Sequence, residues 1–265
     1  MRKIAIIGAG NMGGAIARGI LGGKLSGEYE VRLSNPSVGK LDLIKAEFPS
    51  VVTTVSNVDA ARGADIIVLA VKPWLVKQVI DELSSSIDVE KVTLVSLAAG
   101  ISVGDLCDMF PNPQQAAYSV TRAMPNTAIA VGESMTFVCG DRAAKNKIDE
   151  LDMIFGSMGR SAVIPERMMC GAMALCSCGI AYAMRYVRAA TEGAVELGLY
   201  PDAAKGYIFQ TIRGAVALLE STGSNPEVEI DKVTTPGGVT IKGLNAMERN
   251  GFTTAVIEGL KASSL

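Results

Sequence analysis

Apolar residues run along this chain in two rhythms. In the first half they gather into short blocks closed by glycine or small polar residues. Ile4–Ile7 ends at Gly8, and Glu30–Leu33 is followed by Ser34-Asn35-Pro36. Asp65–Val71 (DIIVLAV) and Val92–Leu97 (VTLVSL) are nearly unbroken, as expected of strands covered on both faces. Ala117–Arg122 and Met135–Cys139 read as further short strands, and Ala15–Leu21 as a helix between the first two. Strands separated by helical stretches predict right-handed βαβ crossovers and a doubly wound parallel sheet. The rhythm changes near Val163–Pro165. From Glu166 the chain is helix-like, with Ile180, Met184, Val187 and Ala194 near one face at a 3.6-residue period. Pro201-Asp202 opens another helix, Asn225-Pro226 marks a turn, and Val239–Met247 is helical again. The expected fold is an α/β Rossmann domain over residues 1–163, followed by an all-α domain over residues 164–265.

Composition narrows the chemistry. The net charge is -2 and no Lys/Arg tract is present, which gives no electrostatic case for nucleic acid or an anionic membrane as partner. There is no histidine. That removes His-based acid–base catalysis, Ser-His-Asp triads and His-ligated metals, so proton transfer falls to hydroxyls, Lys, Cys, carboxyl groups or water. The five cysteines, Cys107, Cys139, Cys170, Cys176 and Cys178, are odd in number and lack the paired spacing of a zinc site, so no metal is expected. Met1-Arg2-Lys3 leads into an apolar run that breaks at once into glycines, a first strand rather than a signal peptide. Met168–Met184 is uncharged but shorter than the ~20 residues of a membrane span. It reads as a helix buried in a core or a subunit interface, with no membrane as partner and a cytosolic location as the expectation.

Ile7 closes the first strand, and Gly8-Ala9-Gly10-Asn11-Met12-Gly13 follows as GxGxxG, opening a helix. That context fits a dinucleotide turn: glycines let the backbone approach a pyrophosphate, and helix-start N–H groups stabilise its charge. The second strand ends Leu33-Ser34-Asn35-Pro36-Ser37 without the carboxylate that bonds a ribose 2′-hydroxyl in NAD sites. Ser34, Asn35 and Ser37 can donate to a 2′-phosphate, and Lys40 lies a turn further on. NADPH is therefore favoured, with NADH still open because these residues are also ordinary turn formers. Val71-Lys72-Pro73 and Ala98-Ala99-Gly100 fall at later strand ends, where ligands of doubly wound sheets collect. Ala98 and Gly100 would let a flat ring lie close, whereas Lys72 is equally compatible with a solvated strand end.

In the helical half, Thr234-Thr235-Pro236-Gly237-Gly238-Val239-Thr240-Ile241 sets a glycine turn against a helix start. Its N–H groups could take a carboxylate and Thr235 and Thr240 add hydroxyls, although a ligand-free helix cap fits the same run. With GAGNMG at 8–13, VKP at 71–73, AAG at 98–100, RAMPNT at 122–127 and TTPGGVTIKGL at 234–244, the chain resembles the Δ1-pyrroline-5-carboxylate reductases over nearly its whole length. The resemblance implies reduction of 1-pyrroline-5-carboxylate to L-proline by NADPH or NADH. It implies substrate held by the Pro236–Thr240 segment, including Val239, with Gly237 and Gly238 N–H groups on the carboxylate. Thr240 would be the proton donor. Ser34, Asn57, Val71, Lys72 and Ala98 would contact the cofactor. It further implies that the all-α domain is a dimerisation and substrate domain, forming a homodimer and often a ring of five dimers.

The chain departs from that family in Leu175–Tyr182, LCSCGIAY, where a run like LSGSGPAY is usual; Asn225 also stands where a histidine is expected. Cys176 and Cys178 replace serines, Ser177 a glycine and Ile180 a proline. These changes keep an imine reductase of different substrate open, and a non-catalytic nucleotide-binding protein is the rival from another class. A β-hydroxyacid dehydrogenase would carry a catalytic lysine on the long interdomain helix, and Met168–Met184 contains none. A bound imine is already electrophilic, so the expected mechanism needs orientation, water exclusion and a hydroxyl at the nitrogen more than a strong acid.

Overall fold

The structure is a computed structural model that describes residues 1–140 and 142–264. The chain forms two compact units, Met1–Ser177 and Cys178–Ser264.

The first unit is built on eight strands: β1 (Arg2–Ile7), β2 (Tyr29–Ser34), β3 (Val52–Thr54), β4 (Ile66–Leu69), β5 (Thr93–Ser96), β6 (Val120–Met124), β7 (Ser134–Cys139) and β8 (Gly159–Val163). They lie in the order β3-β2-β1-β4-β5-β6-β7-β8. Between them run α1 (Asn11–Gly22), α2 (Val38–Glu47), α3 (Asn57–Ala61), α4 (Val76–Ser84), α5 (Val103–Asp108), α6 (Pro113–Ala116) and α7 (Lys145–Gly156). Ile4, Ile6, Ile66, Val68 and Val95 face a core closed by Ile16 and Ile20 of α1, Leu41 and Ile44 of α2, and Leu151 and Phe155 of α7. The alternate residues Ala5, Ile7, Ile67, Leu69 and Leu94 are buried as well. Two covered faces are why these strands read as unbroken apolar runs.

The sheet is parallel except at one place: β7 runs antiparallel to β6, pairing Arg122 with Cys139 and Met124 with Phe137. The doubly wound parallel sheet that was expected is present, and this one reversal has a reason in chain length. Only the 3-10 turn Thr127–Val131 and the left-handed Gly132 (φ 74°) link the bulk of the connection. That is too short for the crossover a parallel neighbour needs, so the chain doubles back. β8 then returns parallel to β7 through α7. Strand β6 begins at Val120, later than the Ala117 expected, because Pro113–Ala116 winds as α6.

A domain change was expected near residue 163, whereas the first unit runs on to Ser177. Physical ties hold residues 166–177 to the sheet. The Glu166 carboxylate accepts from Val103 N and Arg122 Nη1, each at 2.7 Å. Met169, Met173 and Ala174 are buried. This segment passes from a 3-10 turn (Glu166–Met168) through α8 (Met169–Ala172) to a π-helix (Met173–Cys178).

The second unit contains α9 (Gly179–Glu196), α10 (Pro201–Thr222), α11 (Pro226–Val233), α12 (Val239–Arg249) and α13 (Phe252–Ala262). Its helices scarcely cover one another. Among its described residues only Ala204 and Glu229 are buried, while Met184, Tyr207, Val216 and Ile257 are exposed. Ile180, Met184, Val187 and Ala194 thus do not form a core within one chain. The continuous helical stretch Glu166–Glu196 is long and apolar enough, by length and composition, to cross a membrane. Of the segment expected in a core or a subunit interface, Met169, Met173 and Ala174 lie in the core of this chain, whereas α9 has no buried residue within it.

Candidate active site

The strand order reverses direction at β1 and β4, which are hydrogen-bonded neighbours whose following segments depart to opposite sides. Such a switch point opens a crevice beyond the carboxyl ends of the strands. The glycine turn after β1 and the Val71-Lys72-Pro73 segment after β4 flank it.

The three glycines of the turn have different reasons to be glycine. Gly8 is left-handed (φ +106°), and a Cβ there would come 2.7 Å from Ala70 O. At Gly13 a Cβ would lie 1.9 Å from Gly8 O, so only glycine lets α1 start against the strand. Gly10, the N-cap of α1, is different: nothing in the chain lies within 4 Å of where its Cβ would be. The protein's own packing does not demand a glycine at this position. A space kept clear beside the uncapped N–H groups of a 12-residue helix fits a pyrophosphate, whose charge those groups stabilise. The residues present therefore fit a dinucleotide. Ala9 is buried, Asn11 exposed and Met12 packed partly against the core.

At the end of β2 the expected donors divide. Ser34 is fully buried, and its Oγ donates to Asn57 Oδ1 at 2.8 Å. Asn57 Nδ2 donates in turn to Glu82 Oε2 at 2.9 Å. Asn35 Oδ1 accepts from Ala9 N at 3.1 Å while its Nδ2 donates to Ser37 O at 3.1 Å. Asn35 thus braces the glycine turn at Ala9, while the Ser34 hydroxyl, expected to face a 2′-phosphate, is engaged by Asn57. Ser37 is exposed, does not cap α2 with its hydroxyl, and has exposed Lys40 one turn away. No carboxylate occupies the β2 end itself, which keeps the site open to a 2′-phosphate.

Lys72 is exposed, while Val71 and Pro73 are half-buried; Pro73 starts a 3-10 turn closed by Leu75 N donating to Lys72 O at 2.9 Å. Ala98 is buried, and its N–H donates to Ser96 Oγ at 3.2 Å. Beyond it, Gly100 takes φ +75° with open space around it. Because Ser96 pairs with Arg122, Ala98–Gly100 and Pro125-Asn126 leave the sheet side by side. Asn126 is a polar residue that the residue-by-residue reading did not single out. It is buried, caps the following turn through Ala128 N, and donates from Nδ2 to Cys176 O at 3.4 Å. Its partner lies 50 positions away, and sequence spacing carries no trace of such a contact. Burial pushes the Cys176 thiol above its ordinary range, which disfavours the thiolate.

The glycine turn of the second unit is built from Thr235, Pro236, Gly237 and Gly238. Gly237 is left-handed (φ +73°), and Gly238 N donates back to Thr235 O at 2.9 Å. Proline followed by a left-handed glycine is the pattern of a type II turn. A Cβ on Gly238 would lie 2.5 Å from Thr235 Oγ1 and 3.0 Å from Thr235 O, so a larger residue would have to shift the threonine side chain. The bond to Thr235 O engages the Gly238 N–H within the turn, where the resemblance implies a substrate carboxylate. What remains is the first turn of α12, whose N-cap Gly238 makes no side-chain cap. Helix-start N–H groups at Val239, Thr240 and Ile241 have no partner within the helix. Thr235, Pro236, Gly237, Val239 and Thr240 are all exposed.

A doubly wound sheet with a clear dinucleotide turn, joined to helices that leave their apolar sides uncovered, defines a nucleotide-dependent oxidoreductase with a helical assembly unit. Comparison with known proteins narrows this. The family described as pyrroline-5-carboxylate reductase dimerisation matches residues 166–265. That described as NADP oxidoreductase, coenzyme F420-dependent, matches residues 3–100. Pyrroline-5-carboxylate reductase 2 of Dictyostelium discoideum is 34% identical over 99% of this chain and 91% of its own length. Pyrroline-5-carboxylate reductase 1 of the same organism is 35% identical over 98% of this chain, which spans about half (48%) of that longer relative. Among solved structures, Plasmodium falciparum pyrroline carboxylate reductase with NADP bound superposes with a TM-score of 0.87, at 28% identity, over 99% of this chain and 95% of its own. The chain belongs to the pyrroline-5-carboxylate reductase family.

Proposed function

We propose that this protein reduces the carbon–nitrogen double bond of 1-pyrroline-5-carboxylate, forming L-proline, with NADPH as the electron donor. The observation that carries the reading is the family match over both units, 34% identity across 91% of a relative. The space at Gly10 adds a physical reason for a dinucleotide.

When bound, NADPH supplies a hydride to the imine carbon. The rest is positioning by the chain. Gly8, Gly10 and the α1 N-terminus hold the pyrophosphate, with Ser37 and Lys40 toward the 2′-phosphate. Val71, Lys72, Pro73 and Ala98 line the way to the nicotinamide. In the second unit, the N–H groups at the start of α12 hold the substrate carboxylate, with Thr235 and the rigid Pro236-Gly237-Gly238 turn setting their direction. The Thr240 hydroxyl hydrogen-bonds the ring nitrogen and passes on a proton as the amine forms. A threonine is a weak acid, so its role is orientation and relay, which suits a chain without histidine.

The working form is a homodimer, with five dimers in a ring as the higher assembly. The helical unit supports this: with two described residues buried, it needs another surface to cover Met184, Tyr207, Val216 and Ile257. A second copy suits α9 better than lipid, since Arg185, Arg188, Glu192 and Glu196 punctuate it. The protein is then a cytosolic enzyme with a small imine as partner and no nucleic acid. Light scattering in detergent-free buffer should return a multiple of two chains; a stable monomer would contradict the assembly. Consumption of NADPH with 1-pyrroline-5-carboxylate, with proline identified as product, tests the activity.

A further inference from the structure

Residues 166–177 are tied to the sheet by polar bonds that converge on β6 and the turn leaving it. Glu166 holds Arg122 and the start of α5. Nearer the site, Asn126 Nδ2 donates to Cys176 O, and Ser177 Oγ donates to Pro125 O at 2.7 Å. Asn126 is itself fixed, with Oδ1 accepting from Ala128 N at 3.0 Å and its N–H donating to Ser134 Oγ at 3.1 Å. The two donors brace one peptide turn from both directions: Ser177 pulls on the carbonyl of Pro125, and the next residue grips Cys176. The segment that does this is wound as a π-helix, Met173–Cys178, a form that recurs at functional positions.

The braced turn stands beside the stretch that would floor the nicotinamide. Strands β5 and β6 are paired up to Ser96 and Arg122, so Leu97–Gly100 and Pro125-Asn126 leave the sheet as neighbours. Ala98 has almost no exposed surface, whereas Gly100 is open. A flat ring on this floor needs a fixed wall next to it, because a misplacement on the order of 1 Å costs about a hundredfold in rate.

We propose that Ser177 is a positioning residue for hydride transfer: its hydroxyl pins the Pro125-Asn126 turn against the π-helix and so fixes the wall beside the nicotinamide. The proposal rests on the reductase reading above. The role is indirect: Ser177 acts through Pro125, the carbonyl it holds at 2.7 Å. Its loss therefore affects the hydride step and leaves the distant diphosphate turn alone.

The test compares Ser177→Ala, Ser177→Gly and Ser177→Thr with the parent protein. Turnover is measured with NADPH and with NADPH deuterated at the transferred position. For Ala and Gly the expected fall in kcat is about five- to tenfold, the scale of one hydrogen bond. The isotope effect should rise, the NADPH Kd should stay within about twofold, and Thr should restore the parent values. Unchanged kcat and isotope effect in both Ala and Gly would overturn the proposal, as would an equal loss in Thr. Hydrogen exchange at residues 126–128 and 176–180 separates this from the reductase reading. If the parent protein does not reduce the imine, that reading falls. The brace is then judged by exchange alone: lost protection in Ala at unchanged Tm supports it, and unchanged protection refutes it.

Discussion

Gly10→Ala separates a glycine kept for a ligand from one kept for the fold. The added methyl group meets no protein atom within 4 Å, and φ -73°, ψ -169° are open to alanine. Replacing a glycine N-cap by alanine costs under about 1 kcal/mol, offset in part by the lower entropy of the unfolded chain. At this chain length that shifts Tm by no more than about 2–4 °C. Cofactor binding should respond very differently. A methyl group in the space left for a phosphate oxygen removes close approach and a hydrogen bond to a charged group, worth about 1.5–3 kcal/mol. The expected result is an NADPH Kd raised about 10- to 150-fold. Gly13→Ala is the contrasting control: its Cβ would fall 1.9 Å from Gly8 O, so the fold itself should fail. Calorimetric titration with NADPH, beside thermal unfolding of the same samples, decides it. An unchanged Kd in a well-folded Gly10→Ala protein would refute the argument that this space holds the pyrophosphate.

Other perturbations reach different parts of the account. Thr240→Ala should lower kcat about 10- to 100-fold while leaving the NADPH Kd unchanged, since the proposed role of the hydroxyl is at the imine nitrogen; unaltered turnover would remove it from the mechanism. Ser37→Glu places a carboxylate where a 2′-phosphate is expected and should shift the kcat/KM ratio of NADPH to NADH about tenfold or more toward NADH; steady-state kinetics with both cofactors read this. Lys147 donates to Glu90 O, Val92 O and Ser119 Oγ at 2.9, 2.7 and 2.6 Å, tying α7 to the start of β5. Lys147→Met strands those acceptors and should cost about 2–4 kcal/mol in urea unfolding; a loss below about 0.5 kcal/mol would mean water replaces the lysine.

The elements that were readable in the sequence are those whose local pattern and tertiary setting agree. β1, β4 and β5 are covered on both faces, so their apolar blocks announce them. β3 and β8 lie at the two edges of the sheet. Neither Val52–Thr54 nor Gly159–Val163 has a fully buried residue, so no comparable block marks them. The reversal at β7 depends on how little chain follows β6, a matter of connection length rather than periodicity. The same division runs through the site. The glycine turns at 8–13 and 235–238 are local and legible. Whether Ser34 faces a ligand or donates to Asn57 cannot be read from spacing, because the partner stands 23 residues away. The spent N–H of Gly238 likewise follows from turn geometry that sequence suggests only by its Pro-Gly pair. The apolar face of α9 was visible as a pattern, but one sequence does not say whether its cover comes from the same chain.

The central claim is that a nucleotide-dependent reductase acts on a cyclic imine through two glycine turns and no histidine. The most direct measurement follows NADPH absorbance with 1-pyrroline-5-carboxylate in the presence of purified protein and identifies the product by mass and chirality. The account predicts one L-proline formed for each NADPH consumed. Tight NADPH binding with no consumption under any imine concentration would contradict it.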